Sequence, residues 1–409
     1  MAEWDALWCT VVGIGADGWR GLSATARQAV CSADVVLGNS RQLRLLDDTV
    51  TARRVEWPSP LLPALPRLLD EHKHLRLAVL ASGDPMFFGI GSALVSLLGP
   101  ERVRVLPTLS SVSLACARLG WPVQDVEIVS TVGRPLAVLH PAVQPGRRVL
   151  VLAAEPDLAD AVCALLVGRG FGPSTVTALT RLGGPDERLV SGVAQEWTGT
   201  AHDPLAIVAI ECRAGAGAVL LARSPGLPDE AFEHDGQITK WEVRAMVLAA
   251  LMPVPGRLLW DVGAGSGSVG IEWMRSHPAC RAVAVEPRED RRSRISRNAE
   301  QLGVPALRVV AGRAPEALAG LPAPDAVFIG GGITEGGVVE ACMAALAPGG
   351  RLVANAVTVE SEATLAGWHA KVGGTLTRIG IQRAGPVGGF TGWRPAMPVT
   401  QWSWWEERG

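Results

Sequence analysis

The chain has 409 residues, 48% of them hydrophobic and 19% charged, a composition that excludes a disordered or fibrous protein and predicts two or at most three folded domains. The formal net charge of −2 argues against a nucleic-acid-binding chain, since such chains are usually strongly basic. The longest stretch without a charged residue, 85–100, is too short for a membrane-spanning helix of about 20 apolar residues, so we expect no membrane segment.

In the N-terminal half, strand-like apolar runs alternate with helical patterns, which predicts an α/β architecture. The predicted strands are 7–14, 35–37, 77–80, 103–106, 149–153, 176–179 and 205–210. A helix is expected after Ser23, whose hydroxyl can cap the free N–H groups of its first turn. The proline-rich stretch 135–148 reads as a connector between two smaller sheets, so this half is expected to have two lobes.

A turn-rich stretch around Pro225 breaks the pattern and indicates a linker, so we place two domains at 1–222 and 223–409. In the second, the predicted helices are 240–251, 268–276, 289–302 and 338–346, and the predicted strands are 257–262, 282–285, 307–310, 326–329 and 351–355. On a last strand, alternation puts Trp402 and Trp404 on one face and Trp405 on the other, which favours a core or subunit-interface role.

The first residues, the cysteines and the histidines give three further expectations. Glu3 and Asp5 stand where a signal peptide carries positive charge, so we expect a cytoplasmic protein. The 7 cysteines are spread singly, and the 7 histidines show no ligand spacing. This pattern predicts neither a disulfide framework nor a bound metal ion.

The sharpest motif is a glycine-rich turn between a strand and a helix. It reads Asp261-Val262-Gly263-Ala264-Gly265-Ser266-Gly267, and its glycines let a ligand approach the backbone and the free N–H groups of the helix. The dinucleotide fingerprint G-x-G-x-x-G does not fit, because the third glycine comes one residue early. Glu286 ends the next strand, where its carboxylate can accept hydrogen bonds from both ribose hydroxyls. Asp261 would repel a phosphate but tolerates the cationic S-adenosylmethionine, so the pattern predicts that cofactor and resembles the Rossmann-like methyltransferases.

A second glycine-rich turn, 13–18, does match the dinucleotide fingerprint. Its context does not, because the following helix begins near Ser23 and the nearest acidic candidate, Asp34, precedes its strand instead of ending it. Two further clusters are Ala81-Ser82-Gly83-Asp84-Pro85-Met86-Phe87-Phe88-Gly89 and Pro107-Thr108-Leu109-Ser110-Ser111. The turn 13–18 and these two clusters follow one another at spacings that resemble those of the tetrapyrrole methylase family. The resemblance covers nearly all of residues 7–212. The resemblance implies a two-lobed fold in which S-adenosylmethionine lies in a cleft lined by Ala16, Ser82, Gly83, Asp84, Phe87, Ser110 and Ser111.

The C-terminal half carries four more motifs: Leu227-Pro228-Asp229-Glu230-Ala231-Phe232, Ile238-Thr239-Lys240-Trp241-Glu242-Val243-Arg244, Ala311-Gly312-Arg313-Ala314-Pro315-Glu316 and Phe328-Ile329-Gly330-Gly331. Together with the glycine loop they resemble the decarboxylating precorrin methyltransferase family, which has a Rossmann-like fold. The resemblance implies cofactor contacts by Thr239, Gly263, Ala264, Gly265, Ser266, Gly267, Glu286, Arg313 and Ala314, beside Asp261.

Taken together, the two resemblances imply a fused enzyme of cobalamin biosynthesis with one S-adenosylmethionine site in each domain. The first domain would methylate carbon 5 of a precorrin, and the second would methylate carbon 15 and remove carbon dioxide from the ring C acetate. Such a substrate is a small polyanion, and Arg244 and Asn355 are the predicted contacts to its carboxylates. We single out no catalytic residue, and we expect a homo-oligomer that binds neither nucleic acid nor membrane.

Two alternatives stay open at this point. Relatives of the N-terminal family also methylate RNA, so an RNA-directed methyltransferase is the first, although the net charge and the absence of an N-P-P-Y-like tetrapeptide after the strand 326–329 count against it. A non-catalytic cofactor sensor with two domains is the second. Analysis of the product formed from a precorrin would distinguish both alternatives from a precorrin methyltransferase.

Overall fold

The computed structural model describes residues 8–153, 155–199, 203 and 206–405. The acidic N-terminus and the first residues of two predicted strands, Leu7 and Leu205, lie outside the described residues. Contacts within the chain divide it into two compact units. Unit 1 comprises 1–134 and 145–219, and unit 2 comprises 135–144 and 220–409. Among the described residues, no helix has both the length and the apolar character that crossing a membrane requires.

Unit 1 contains two sheets, and the first is wholly parallel. Its strands are β1 (Cys9–Ile14), β2 (Val35–Gly38), β3 (Arg53–Glu56), β4 (Leu77–Ser82) and β5 (Val103–Leu106), in the order β3-β2-β4-β1-β5. The helices of this part are α1 (Ala24–Cys31), α2 (Ser40–Arg44), α3 (Leu61–Glu71), α4 (Ile90–Leu98) and α5 (Ser111–Leu119). Ser23 caps α1 by accepting a hydrogen bond from the Ala26 N–H at 3.2 Å, as predicted. Parallel strands covered by helices place the strands' carboxyl ends at one edge, where loops can meet a ligand.

The second sheet of unit 1 is mixed. Its strands are β6 (Val126–Ser130), β7 (Arg148–Leu152), β8 (Thr175–Thr180), β9 (Arg188–Val193) and β10 (Ala206–Glu211), with α6 (Leu158–Gly168) packed against it. The order is β6-β7-β10-β8-β9, and only β6 and β7 run parallel. The expectation of two smaller sheets is therefore confirmed.

The connector between those sheets was predicted wrongly. The chain passes from one to the other through α5, whereas 135–148 joins β6 to its parallel neighbour β7. A parallel pair needs such a crossover, because the chain must return to the same end of the sheet. Part of this crossover belongs to unit 2: Leu139 is fully buried, and the Gln144 side-chain amide donates to the Leu221 carbonyl at 2.7 Å.

Unit 2 is built on a seven-stranded sheet with helices on both faces. Its strands are β11 (Leu258–Val262), β12 (Arg281–Glu286), β13 (Arg308–Ala311), β14 (Ala326–Ile329), β15 (Arg351–Ala356), β16 (Thr375–Ile379) and β19 (Val399–Trp405), and β17 (Gln382–Val387) and β18 (Phe390–Pro395) form a separate hairpin. The helices are α7 (Trp241–Leu251), α8 (Ser268–Ser276), α9 (Glu289–Gln301), α10 (Val338–Ala345) and α11 (Val359–Val372).

The strand order of this sheet is β13-β12-β11-β14-β15-β19-β16. Six of the strands run in one direction, and β19 runs in the opposite direction between β15 and β16. Neighbouring strand residues face opposite cores: Leu259 packs with α7, α8 and α9, and Trp260 packs with α10 and α11. Trp402 and Trp404 both join the second core, and Trp405 is 45% exposed, so the predicted alternation is confirmed. The order reverses at β11, and a crevice therefore opens at the carboxyl ends of β11, β12 and β14.

Candidate functional site

The loop from β11 to α8 requires its three glycines. Gly263, Gly265 and Gly267 have φ of +68°, +59° and +75°, the left-handed region that side chains disfavour. A Cβ on Gly263 would lie 2.9 Å from the backbone of Gly331, whereas one on Gly265 would meet only the Gln237 carbonyl at 3.7 Å. The loop thus packs closely on one side and leaves open space beside Gly265.

That space belongs to a cavity of about 830 Å³, a size typical of small-molecule sites. The structure brings nine of the predicted site residues to its wall: Thr239, Gly263, Ala264, Gly265, Ser266, Glu286, Arg313, Ala314 and Asn355. These residues come from the ends of four strands and from the segment before α7. The sheet topology brings the strand-end residues together, although they are far apart in the sequence.

Glu286 is the principal acidic group of the cavity. It ends β12, is 2% exposed, and its carboxylate accepts hydrogen bonds from the N–H groups of Gly265 at 2.9 Å and Arg288 at 3.1 Å. A carboxylate has about four acceptor sites, so two remain for ligand hydroxyls. The buried hydroxyl of Ser266 also lines the cavity, and no described residue hydrogen-bonds to it. A ligand in the cavity would supply such a partner.

Asp261 and Gly267 are predicted cofactor contacts that are not among the residues lining the cavity, so a contact by either one stays a prediction. Asp261 is 1% exposed, and its carboxylate accepts a hydrogen bond from the Gly270 N–H of α8 at 2.9 Å. Burial raises the pKa of Asp261 to about 7, and the nearby charge of Glu286 adds to the effect. Gly267 faces Ile295, since a Cβ there would lie 2.8 Å from that side chain. Both residues shape the loop from behind.

Arg244 is not a substrate contact, and that prediction was wrong. Its side chain is fully buried and donates to Glu272 at 2.6 Å and to Asp229 at 3.3 Å. The same guanidinium donates to the carbonyls of Leu227 and Thr239. Arg244 therefore holds the segment before α7, and with it the Thr239 part of the cavity wall, without reaching the cavity itself.

In unit 1, the loops after β1, β4 and β5 converge. A Cβ on Gly13 would lie 2.2 Å from the Gly83 carbonyl and 2.8 Å from the Thr108 nitrogen, so only glycine fits there. Gly83 in turn lies beside Ser110, whose Cα would be 3.3 Å from a Cβ on Gly83. Ser110 caps α5 by accepting from the Ser113 N–H at 3.0 Å.

The other predicted residues of unit 1 lie in or beside these loops. Ser82 accepts hydrogen bonds from Arg41 at 2.8 Å and from Gln42 at 3.1 Å. The Asp84 carboxylate accepts a hydrogen bond from the Met86 N–H at 2.9 Å. The ring of Phe87 packs edge-on against that of Phe88, with 4.9 Å between the ring centroids, and Ser111 is the first residue of α5. Ala16 lies next to Gly184 in the turn between β8 and β9, where a Cβ would be 3.0 Å from the Ala16 side chain.

Part of the unit 2 cavity was not predicted from the sequence. The hairpin wall consists of residues at the base of β17 and β18 and the start of β19: Ile381, Arg383, Ala396, Met397 and Val399. No glycine motif or buried acidic residue marks this stretch. Gly330 and Gly331, which follow β14, also line the cavity. They belong to the motif Phe328-Ile329-Gly330-Gly331, so the sequence could have indicated them as site residues.

Two family models match the chain. The Precorrin methyltransferase domain matches residues 230–406, and the Tetrapyrrole (Corrin/Porphyrin) Methylases match residues 9–198. A Precorrin-6Y C(5,15)-methyltransferase [decarboxylating] of a Sinorhizobium species is 50% identical over 398 residues, 97% of this chain and 96% of the relative. A Mycobacterium tuberculosis protein of the same name is 49% identical over 399 residues, 96% and 98% of the two chains. The crystal structure of the C-terminal domain of precorrin-6Y C5,15-methyltransferase from Rhodobacter capsulatus is 50% identical, with a TM-score of 0.43, covering 46% of this chain and 100% of that one.

Proposed function

This chain belongs to the family of decarboxylating precorrin-6Y C(5,15)-methyltransferases, and from that premise we propose how its two parts divide the reaction. The enzyme uses S-adenosylmethionine to methylate a tetrapyrrole precorrin at carbons 5 and 15 and decarboxylates its ring C acetate in cobalamin biosynthesis. Residues 1–222 form the domain that methylates carbon 5. Residues 223–409 form the domain that methylates carbon 15 and releases carbon dioxide.

The observation that carries this proposal is the unit 2 cavity with its glycine loop. The fit to S-adenosylmethionine rests on three features: open space beside Gly265, the partnerless hydroxyl of Ser266 and the unused acceptor sites of Glu286. Glu286 suits the ribose hydroxyls of the cofactor. Thr239, Arg313 and Ala314 complete the cofactor part of the wall.

The protein's contribution to methyl transfer is alignment. The bound cofactor supplies an activated methyl group on a sulfonium, and the nucleophile is an electron-rich carbon of the macrocycle. Holding the two in line can contribute about 7–11 kcal/mol without any covalent residue. Asn355 lines the cavity, and Gln401 donates to its side-chain oxygen at 3.3 Å, which leaves the Asn355 amide N–H groups for a substrate acceptor.

Decarboxylation follows from the same placement. Methylation of carbon 15 leaves a conjugated imine, which accepts the electron pair of the breaking bond between the acetate carboxylate and its methylene carbon. Carbon dioxide leaves, and no base is needed. Apolar side chains of Val357, Ile381 and Val399 line the cavity and would strip water from the departing carboxylate, which raises its energy before the bond breaks.

A second cofactor molecule is assigned to unit 1. The convergence of the loops after β1, β4 and β5 supports this, because the close packing at Gly13 and Gly83 brings the predicted polar residues of these loops to one edge of the parallel sheet. Ser82, Asp84 and Ser110 are the polar groups assigned to that site, together with Ala16, Phe87 and Ser111.

The setting of the enzyme is also part of the proposal. We place it in the cytoplasm as a homo-oligomer that binds neither nucleic acid nor membrane. The net charge of −2 supports the absence of a nucleic-acid partner. Phe390 and Trp393 of the β17–β18 hairpin are 84% and 71% exposed, and such apolar surface supports self-association.

The direct test is the product formed from precorrin-6Y and S-adenosylmethionine, analysed by mass spectrometry. We expect a gain of two methyl groups and the loss of one carbon dioxide. Titration with S-adenosylhomocysteine should give two binding sites per chain, one of which disappears in Glu286→Ala. Methylation of added RNA alone, or a single cofactor site, would contradict the proposal.

A further inference from the structure

Two cations of the unit 2 cavity have no role in the cofactor site. Four lining residues are positively charged: Lys240, Arg291, Arg313 and Arg383. Arg291 is occupied, because it donates to Asp235 at 2.9 Å and to Gln237 at 2.6 Å. Arg313 is mostly exposed and belongs to the cofactor wall proposed above. Lys240 and Arg383 remain.

These two residues lie where the cavity meets a shallow groove. Both line the cavity, and both also line the groove, whose other residues are Gly226, Pro228, Asp229, Glu230 and Trp241. About half of each side chain is exposed: 47% for Lys240 and 49% for Arg383. A ligand that extends from the cavity toward solvent would pass between hairpin and helix at this point.

Arg383 is held in place by an acidic residue of the neighbouring helix. Its Nη2 donates to both carboxylate oxygens of Glu242, at 2.6 and 2.7 Å, and Glu242 is only 23% exposed. One nitrogen makes both contacts, so Nη1 and Nε have no hydrogen-bond partner among the described residues. The N–H groups of Nη1 and Nε point to different sides of the guanidinium, so each can donate a separate hydrogen bond to an anion that approaches the charge.

Lys240 is the weaker of the two anchors. Its amine lies 3.4 Å from Asp229, and Asp229 is already paired with the buried Arg244. Glu230 is the other acidic group of the groove, and Arg394 stands opposite Arg383 in the hairpin. Lys240 and Arg383 thus line the groove side of the cavity. Asp229 forms ion pairs with both Lys240 and Arg244, so it neutralises Lys240 only in part.

We propose that Arg383 and Lys240 bind a carboxylate arm of the tetrapyrrole that is retained in the product, with Glu242 as the residue that positions Arg383. The inference rests on the proposed function of unit 2. An arginine bound to the departing acetate would stabilise it and oppose decarboxylation, so the charged rim suits a retained arm. The apolar side chains of Val357, Ile381 and Val399 suit the arm that is lost.

The test uses the full chain and measures initial rates of carbon dioxide release, which report the carbon 15 reaction alone. In Arg383→Met we expect the KM for the precorrin to rise about tenfold or more, while the KM for S-adenosylmethionine changes less than about twofold. Arg383→Lys should recover part of the loss, and Glu242→Gln should raise the precorrin KM about threefold. Arg378→Met is the matched control, because this exposed arginine pairs with Glu362 and does not line the cavity.

Ionic strength gives a readout that a structural role would not move. The precorrin KM of the wild type should rise with salt, and this dependence should be weaker in Arg383→Met and in Lys240→Met. An unchanged precorrin KM in Arg383→Met, an equal rise in both KM values of that variant, or a methylated product of Arg383→Met that keeps the acetate lost with the wild type would overturn the inference. Absence of carbon dioxide release by the wild type would instead refute the proposed function.

Discussion

Breaking the buried ion pair between Arg244 and Glu272 should destabilise unit 2. The two side chains are 0% and 2% exposed and lie 2.6 Å apart. Arg244→Met leaves Glu272 as a buried carboxylate without its cation, which costs about 3–5 kcal/mol. The low end applies, because Glu272 keeps hydrogen bonds from the N–H groups of Gly226 at 2.6 Å and Leu227 at 3.0 Å.

The assay is urea unfolding followed by tryptophan fluorescence. Trp260 and Trp273 are nearly fully buried in unit 2 and report its transition. In a double-mutant cycle, Arg244→Met with Glu272→Gln should cost about 1–3 kcal/mol less than the sum of the single variants. Arg297→Met is the matched control, since its ion pair with Glu233 is exposed and should contribute under about 1 kcal/mol. An Arg244→Met cost no larger than the control, or strict additivity, would refute the reasoning.

Three further predictions concern the loop and its acidic residues. Glu286→Gln should raise the Kd of S-adenosylhomocysteine at the unit 2 site about tenfold in calorimetry, because one charged acceptor of ribose hydroxyls is lost; an unchanged Kd would remove Glu286 from the site. Gly267→Ala should lower the free energy of unfolding by about 2 kcal/mol more than Gly265→Ala in urea titrations, since only the Cβ at 267 meets a core side chain, Ile295 at 2.8 Å; equal costs would contradict this. Asp261 has a folded-state pKa of about 7 against an ordinary 3.8, so the folded protein holds its proton longer than the unfolded chain. Stability should therefore fall by about 2–3 kcal/mol as pH rises from 5 to 8, and Asp261→Asn should abolish this fall. If the unfolding free energy of the wild type rises over this range relative to that of Asp261→Asn, the raised pKa of Asp261 is contradicted.

Much of the fold follows from local patterns. The helix Ser268–Ser276 and the strand Ala326–Ile329 begin and end at the predicted residues, because glycine turns and polar residues bound them sharply. The strands Arg53–Glu56 and Arg188–Val193 were not predicted. Both are edge strands with mostly exposed or half-exposed residues, so their sequences lack the apolar run that marks a buried strand.

The site was predictable where backbone chemistry dictates the residue type. Gly263 and Glu286 were predicted from the spacing that is typical of a tight turn and a ribose-binding carboxylate, and both line the cavity of unit 2. Arg244 was misassigned, since a sequence does not show whether an arginine on a helix faces a cavity or a buried glutamate 28 positions away. Arg383 was missed for the same reason: its partner Glu242 lies 141 positions earlier in the chain.

The central claim is that two separate sites act on two carbons of one substrate. The most direct measurement is the product that the full-length Gly13→Ala variant forms from precorrin-6Y, since the added Cβ would lie 2.2 Å from the Gly83 carbonyl and close the unit 1 site. We predict a product with one added methyl group, at carbon 15, and one carbon dioxide lost. A doubly methylated product, or a methylated product that retains every carboxylate, would contradict the assignment of the two activities.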